Sequence, residues 1–181
     1  MEIKKRKRWD CIADRMEGRE KITGCEVGIY KAKMAVNLLE LMPNLTLVAV
    51  DRWAKYSGKE KIGDSSGVIV KYTKKQWEKI YNIALDALIP HIKRVHILRE
   101  DSKAAALRFE NEQFDFVFID ADHSYKGVKN DIKHWKNKVR QCGYLCGHDY
   151  SRAGVFKAVN EAFKKDEIEV DADKTWFVRR K

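Results

Sequence analysis

Two acid-tipped segments carry the chemistry-bearing residues of this chain. Asp120-Ala121-Asp122-His123 follows the apolar run Phe114-Asp115-Phe116-Val117-Phe118-Ile119, and His148-Asp149-Tyr150 follows Gly143-Tyr144-Leu145-Cys146-Gly147. Carboxylates beside imidazoles can remove a proton from a substrate. The oxygens of Asp120, Asp122 and Asp149 form a hard ligand set of the kind that suits Mg²⁺. His123 and His148 are the candidate bases, and the plainer reading of His123 is a loop histidine bonded to backbone. An apolar run that ends in acids is how a buried parallel strand delivers side chains to the edge of a sheet. In open α/β sheets ligands sit just beyond the carboxyl ends of the strands.

Two further segments point to a nucleotide-like ligand. Cys25-Glu26-Val27-Gly28-Ile29-Tyr30-Lys31-Ala32 joins a strand to a helix. Its glycine allows close approach to the backbone, and the helix behind it offers free N–H groups. The pattern is not Gly-x-Gly-x-x-Gly, which argues against a dinucleotide. Asp51 closes the next strand, where an acid can accept both hydroxyls of a ribose.

These groups need a sheet to hold them, and the chain alternates accordingly. Strands are expected at Thr23 to Val27, Leu45 to Val50, Val95 to Leu98, Phe114 to Ile119 and Tyr144 to Cys146. Ile168 to Val170 and Trp176 to Val178 form a closing antiparallel pair. Helices are expected at Lys31 to Met42, from the N-cap Thr73 to Leu88 before Pro90, at Lys103 to Phe109, Tyr125 to Val139 and Val155 to Phe163. Trp9, Ile12 and Met16 mark an N-terminal helix within residues 1–20. The fold class is α/β, a doubly wound, mostly parallel sheet in one domain over 1–181. Residues 52–72 show no firm periodicity and carry Gly58, Gly63 and Gly67. They read as a lid or a passive connection, with Trp53 and Tyr56 placed to cover a ligand.

Composition bounds the function. At 181 residues and 44% hydrophobic, the chain can bury a full core. No apolar run is long enough to cross a bilayer, and Met1 to Arg8 leads into no secretory h-region, so a cytoplasmic protein without a membrane partner is expected. The four cysteines lack Cys-x-x-Cys spacing and are expected as free thiols, with Cys142 and Cys146 sharing a strand face. The net charge of +10 admits a nucleic-acid partner, but the lysines are spread over every helix and read better as a solvated surface. Oligomeric state is not legible.

Glu26-x-Gly28, Asp51, Glu100-Asp101-Ser102 and Ile119-Asp120-Ala121-Asp122-His123-Ser124-Tyr125, with the later His148-Asp149-Tyr150, resemble a class I S-adenosylmethionine-dependent methyltransferase. The nearest subgroup is the small-molecule O-methyltransferases similar to macrocin O-methyltransferase. The resemblance spans roughly Lys21 to Lys181 and implies a role for each residue. Glu26, Gly28 and Tyr30 would lie beside the methionine part of the cofactor and Asp51 at its ribose. Asp101 and Ser102 would border the adenine. Asp120 would lie near the sulfonium and form a metal site with His148 and Asp149. Asp120, Asp122, His123 and His148 would carry catalysis. Ala32 replaces the family's second glycine, Cys142 replaces a turn glycine, and His148-Asp149 stands where metal-dependent relatives have two acids. The implied activity is methyl transfer to a hydroxyl of a small molecule or sugar. The alternative is an RNA-directed enzyme or a non-catalytic RNA-binding module that uses the basic surface.

Overall fold

A computed structural model describes residues 5–54 and 72–181. Seven strands form a single sheet: β1 (Ile22–Val27), β2 (Leu45–Asp51), β3 (Val95–Arg99), β4 (Phe114–Ile119), β5 (Val139–Gly147), β6 (Ile168–Asp171) and β7 (Thr175–Arg179). Their order is β3-β2-β1-β4-β5-β7-β6. The first five run parallel; β7 is antiparallel to both β5 and β6. This is the expected α/β fold with its antiparallel closing pair.

The helices divide between the two faces. α1 (Arg8–Met16), α2 (Lys33–Leu41) and α3 (Lys74–Leu88) pack with Phe116 and Phe118 on one side. α4 (Ser102–Ala106), α5 (Tyr125–Trp135) and α6 (Ala153–Ala162) pack with Val117 and Ile119 on the other. All of β4 is buried, and the alternation of its side chains feeds both cores. Because the order reverses between β1 and β4, their ends open a crevice at the switch point of the sheet.

Several boundaries differ from the sequence reading. α5 ends at Trp135, and β5 begins at Val139 rather than Tyr144. The early start contains a register shift opposite Phe114 and Phe116. Cys142 sits in that irregular stretch at φ 60, exposed, whereas Cys146 is fully buried. The two thiols therefore do not share a face. α4 stops at Ala106, leaving Leu107 exposed. Most of the expected lid, with Tyr56, lies outside the described residues. Trp53 is a core residue, 1% exposed, donating its indole N–H to the Tyr30 carbonyl at 2.8 Å and stacking on Tyr81. Among the described residues no helix is long and apolar enough to cross a membrane.

Asp115 explains the one polar residue inside the β4 run. Its buried carboxylate accepts from Arg19 at 2.5 Å and from the Thr23 backbone N–H at 2.8 Å, and Arg140 lies 3.3 Å away. Removing it would leave two guanidiniums and one buried N–H without their anion. Asp115→Ala is expected to lower unfolding free energy by about 2 kcal/mol, since the arginines are partly solvated. A denaturant midpoint within error of wild type would show that water replaces the pair at no cost.

Candidate active site

The crevice at the strand ends holds a cavity of about 410 Å³, a size suited to a nucleotide-like ligand. Glu26, Gly28, Tyr30, Asp51, Asp101, Ser102, Asp120, Asp122 and His123 all line it. The sequence reading therefore brought most of its candidates to one place.

Glu26, next to last in β1, is 1% exposed, and its Oε2 has no hydrogen-bond partner. Burial and the neighbouring Asp120 carboxylate push its carboxyl well above the ordinary range, while the Arg8 guanidinium opposes the shift. A buried oxygen left unpaired on a cavity wall is a place for a ligand donor.

Gly28 makes a close approach that the sequence reading did not include. At φ 99, a Cβ placed on it would lie 2.3 Å from the Asp120 carbonyl oxygen. The β1 turn thus packs on the β4 end, and Gly28 also lines the cavity. Asp120 N–H donates to Val27 carbonyl at 2.8 Å across the same gap. After the glycine, Tyr30 and Ala32 also take left-handed φ values of 51 and 61. Asp51 holds this turn in place: its carboxylate accepts from Tyr30 N–H at 2.9 Å and Trp53 N–H at 2.8 Å. Burial raises the Asp51 carboxyl, and these backbone donors counter it.

On the β3 side, Asp101 caps α4 by accepting from Lys103 N–H at 3.0 Å. Trp135 Nε1 donates to Ser102 Oγ at 2.9 Å, and Ser102 donates in turn to Asp131 Oδ1 at 2.6 Å. Asp131 is buried on the cavity wall, and burial pushes its carboxyl up to about 7. The sequence reading missed it. The signal was present: Asp131 falls on the apolar stripe of Val128, Ile132 and Trp135, where a solvated acid has no place.

The β4 and β5 ends meet as expected, in a tighter network. His123 Nε2 lies 3.0 Å from Asp120 Oδ1 and 3.3 Å from Asp149 Oδ2. Asp149 also faces Arg152 Nε at 2.8 Å and His148 Nδ1 at 3.4 Å. Its own burial works against ionisation, but the His148 hydrogen bond and the nearby His123 and Arg152 charges hold its carboxyl at about 2. Asp122 turns away from this cluster and accepts from Ser124 N–H at 2.8 Å and Ser124 Oγ at 2.9 Å, bracing the start of α5. The proposed catalytic use of Asp122 therefore competes with a structural one. The unexpected member is Arg8 of α1, whose Nη1 donates to Asp120 Oδ2 at 2.9 Å. In the sequence it closes the stretch Met1 to Arg8, which was given no part in the site.

The three residues whose ligand atoms converge within 4.8 Å are Asp120, His123 and Asp149. His148, placed by the sequence in that set, has its Nδ1 3.9 Å from Asp120 and its Nε2 buried without a hydrogen-bond partner. The set does not fit a divalent cation as it stands. A nitrogen ligand must present a lone pair, whereas His123 Nε2 between two carboxylates must carry its proton. Arg8 already neutralises the second oxygen of Asp120.

A family model described as a methyltransferase domain matches residues 25–150, from the Glu26 strand through the His148-Asp149 end. The chain belongs to the methyltransferase domain family. Solved methyltransferases share its fold. The calicheamicin methyltransferase CalS11 superposes with a TM-score of 0.69 at 10% identity, over 94% of this chain and 76% of that one. The O-methyltransferase NovP gives 0.61 at 14% identity, over 94% and 76%. Precorrin-6y C5,15-methyltransferase from Geobacter metallireducens GS-15 gives 0.60 at 11%, over 94% and 85%. No curated protein matches the sequence. In this methyltransferase the matched region contains every residue of the cavity wall except Arg8.

Proposed function

We propose that this methyltransferase moves the methyl group of S-adenosylmethionine to a hydroxyl of a small molecule. The observation that supports this reading most is the continuity of one cavity. It runs from Ser102 and Asp131, past Asp51 and the unpaired Glu26 oxygen, to His123. A donor and an acceptor bound along it would meet beside His123.

The residues present fit the donor. The lone Glu26 oxygen would take the ammonium of its methionine portion, Asp51 its ribose hydroxyls, and Asp101 and Ser102 would border its base. S-adenosylmethionine supplies a methyl group already activated by a positive sulfur. What remains for the protein is alignment and one proton. The carboxylates of Asp120 and Asp149 keep the His123 proton on Nε2, which leaves Nδ1 as the basic nitrogen for the acceptor hydroxyl. Trp77, on the wall of the same cavity with its indole N–H unpaired, is placed to donate to a bound ligand.

Calorimetry with S-adenosylhomocysteine tests the reading. The wild-type chain is expected to bind it, and Glu26→Ala and Asp51→Ala are each expected to weaken binding by about 1–3 kcal/mol. His123→Ala should leave that affinity unchanged and remove turnover of hydroxylated acceptors found by screening. Absence of binding to the wild type would end the methyl-transfer reading.

A further inference from the structure

We infer that Arg8 supplies the positive charge that a divalent cation would otherwise bring to this site, so that the site holds no divalent cation. The inference rests on the methyl-transfer reading for what the charge does, but not for whether the charge is there.

The argument begins with the charges that face one another. Three carboxylates meet at the cluster: Asp120, Asp149 and Asp173. Against them stand two permanent cations, Arg8 and Arg152, and two imidazoles, His123 and His148. Arg8 Nη1 is 2.9 Å from Asp120, and Arg8 Nε is 3.7 Å from Asp173. Arg152 holds Asp149. A guanidinium does not deprotonate at any working pH, so these neutralising charges are fixed. A dication entering here would have to displace Arg8 from Asp120. The carboxylates have too little uncompensated charge to drive that change.

Arg8 is built into the site rather than resting on it. Its side chain is largely shielded, its Nε is buried without a hydrogen-bond partner, and it lines the cavity beside Glu26 and Asp120. α1 is held by a separate set of contacts. Arg6 and Arg15 each donate to Asp171 at 2.8 Å, and Arg15 lies over the Phe177 ring at 3.8 Å. The helix thus carries its first residue to the one point where it meets both the β4 acid and the cavity. An acceptor oxygen losing its proton to His123 would develop negative charge beside this guanidinium, and N–H donors already in place stabilise such charge without reorganising.

The test uses the full chain and Mn²⁺ as probe, read by electron paramagnetic resonance with and without S-adenosylhomocysteine. Wild type is expected to show no saturable Mn²⁺ site tighter than about 1 mM, the weak end of protein oxygen sites. Arg8→Ala, which frees Asp120, is expected to gain Mn²⁺ affinity by about tenfold or more, and Arg8→Lys to behave as wild type. If circular dichroism shows that Arg8→Ala does not fold, Arg8→Gln takes its place. A saturable wild-type Mn²⁺ site abolished by Asp120→Asn overturns the inference, and so does a folded Arg8→Ala or Arg8→Gln with no gain. S-adenosylhomocysteine binding in the same samples reports on methyl transfer separately.

Discussion

Gly28→Ala is expected to lower unfolding free energy by roughly 2–5 kcal/mol and the melting temperature by on the order of 10 °C. Two effects add. The φ of 99 is unfavourable for any residue with a Cβ, at about 1–2 kcal/mol. The new methyl would also drive into the Asp120 carbonyl at 2.3 Å and the Ala121 Cα at 2.7 Å, both backbone atoms just past the end of β4. Relief requires parting β1 from β4, which costs about 1–3 kcal/mol as overpacking. Gly18→Ala separates the two effects. Gly18 has φ 80 but nothing within 4 Å of the added carbon, so it carries the strain alone. Chemical denaturation of both variants is the measurement. Equal losses would show that the contact with Asp120 is harmless. Because that contact positions the Asp120 side chain, Gly28→Ala is also expected to lose S-adenosylhomocysteine affinity, whereas Gly18→Ala keeps it.

Asp131→Asn should change how stability depends on pH. Burial, aided by the Asp122 and Asp101 charges and opposed by the Ser102 hydrogen bond, raises the Asp131 carboxyl from its ordinary 3.8 to about 7. The folded state therefore binds this proton more tightly than the unfolded chain does. The sign follows: the group's contribution is most favourable below pH 3.8, declines as pH rises to about 7, and stays flat above. Roughly three units at about 1.4 kcal/mol each give a loss of about 4 kcal/mol as an upper figure. Asparagine cannot titrate but can still accept from Ser102. Above pH 7 the variant should be more stable than wild type, and near pH 4 equal or slightly less so. Melting curves at half-unit steps from pH 4 to 8 check this. Parallel curves for the two proteins would remove Asp131 as the titrating group.

What the sequence disclosed follows from what is local. The β4 run and its acidic end were legible because a strand buried on both faces has no polar period, and its last residues must leave the sheet where ligands bind. Asp51 was legible for the same reason. What remained hidden depends on partners far along the chain. Arg8 gains its role from Asp120, 112 residues away. Gly28 was assigned to the cavity, but its contact with the Asp120 backbone shows only in the β1–β4 pairing. Trp53 read as a lid residue because an aromatic after an acid resembles a cover. Its indole N–H instead finds Tyr30, a bond that the left-handed turn creates and no periodicity encodes. His123 and His148 could not be ranked from spacing, because their order depends on how β4 and β5 are registered. The Val139 start with its irregular stretch altered that register.

The anchoring of α1 sets an order of assembly. Arg6 and Arg15 reach Asp171 across separations of 165 and 156 residues. On a ribosome, α1 emerges before β6 and β7 and waits for them to be made before it can dock. Local helices and the parallel β1–β4 pairing can form earlier, but the clasp to Asp171 closes a long loop and comes late. Until then Asp120 lacks its arginine and the cavity lacks one wall. A chain that has not yet placed β6 holds much of its sheet and is still inert, so the site itself reports that β6 has docked.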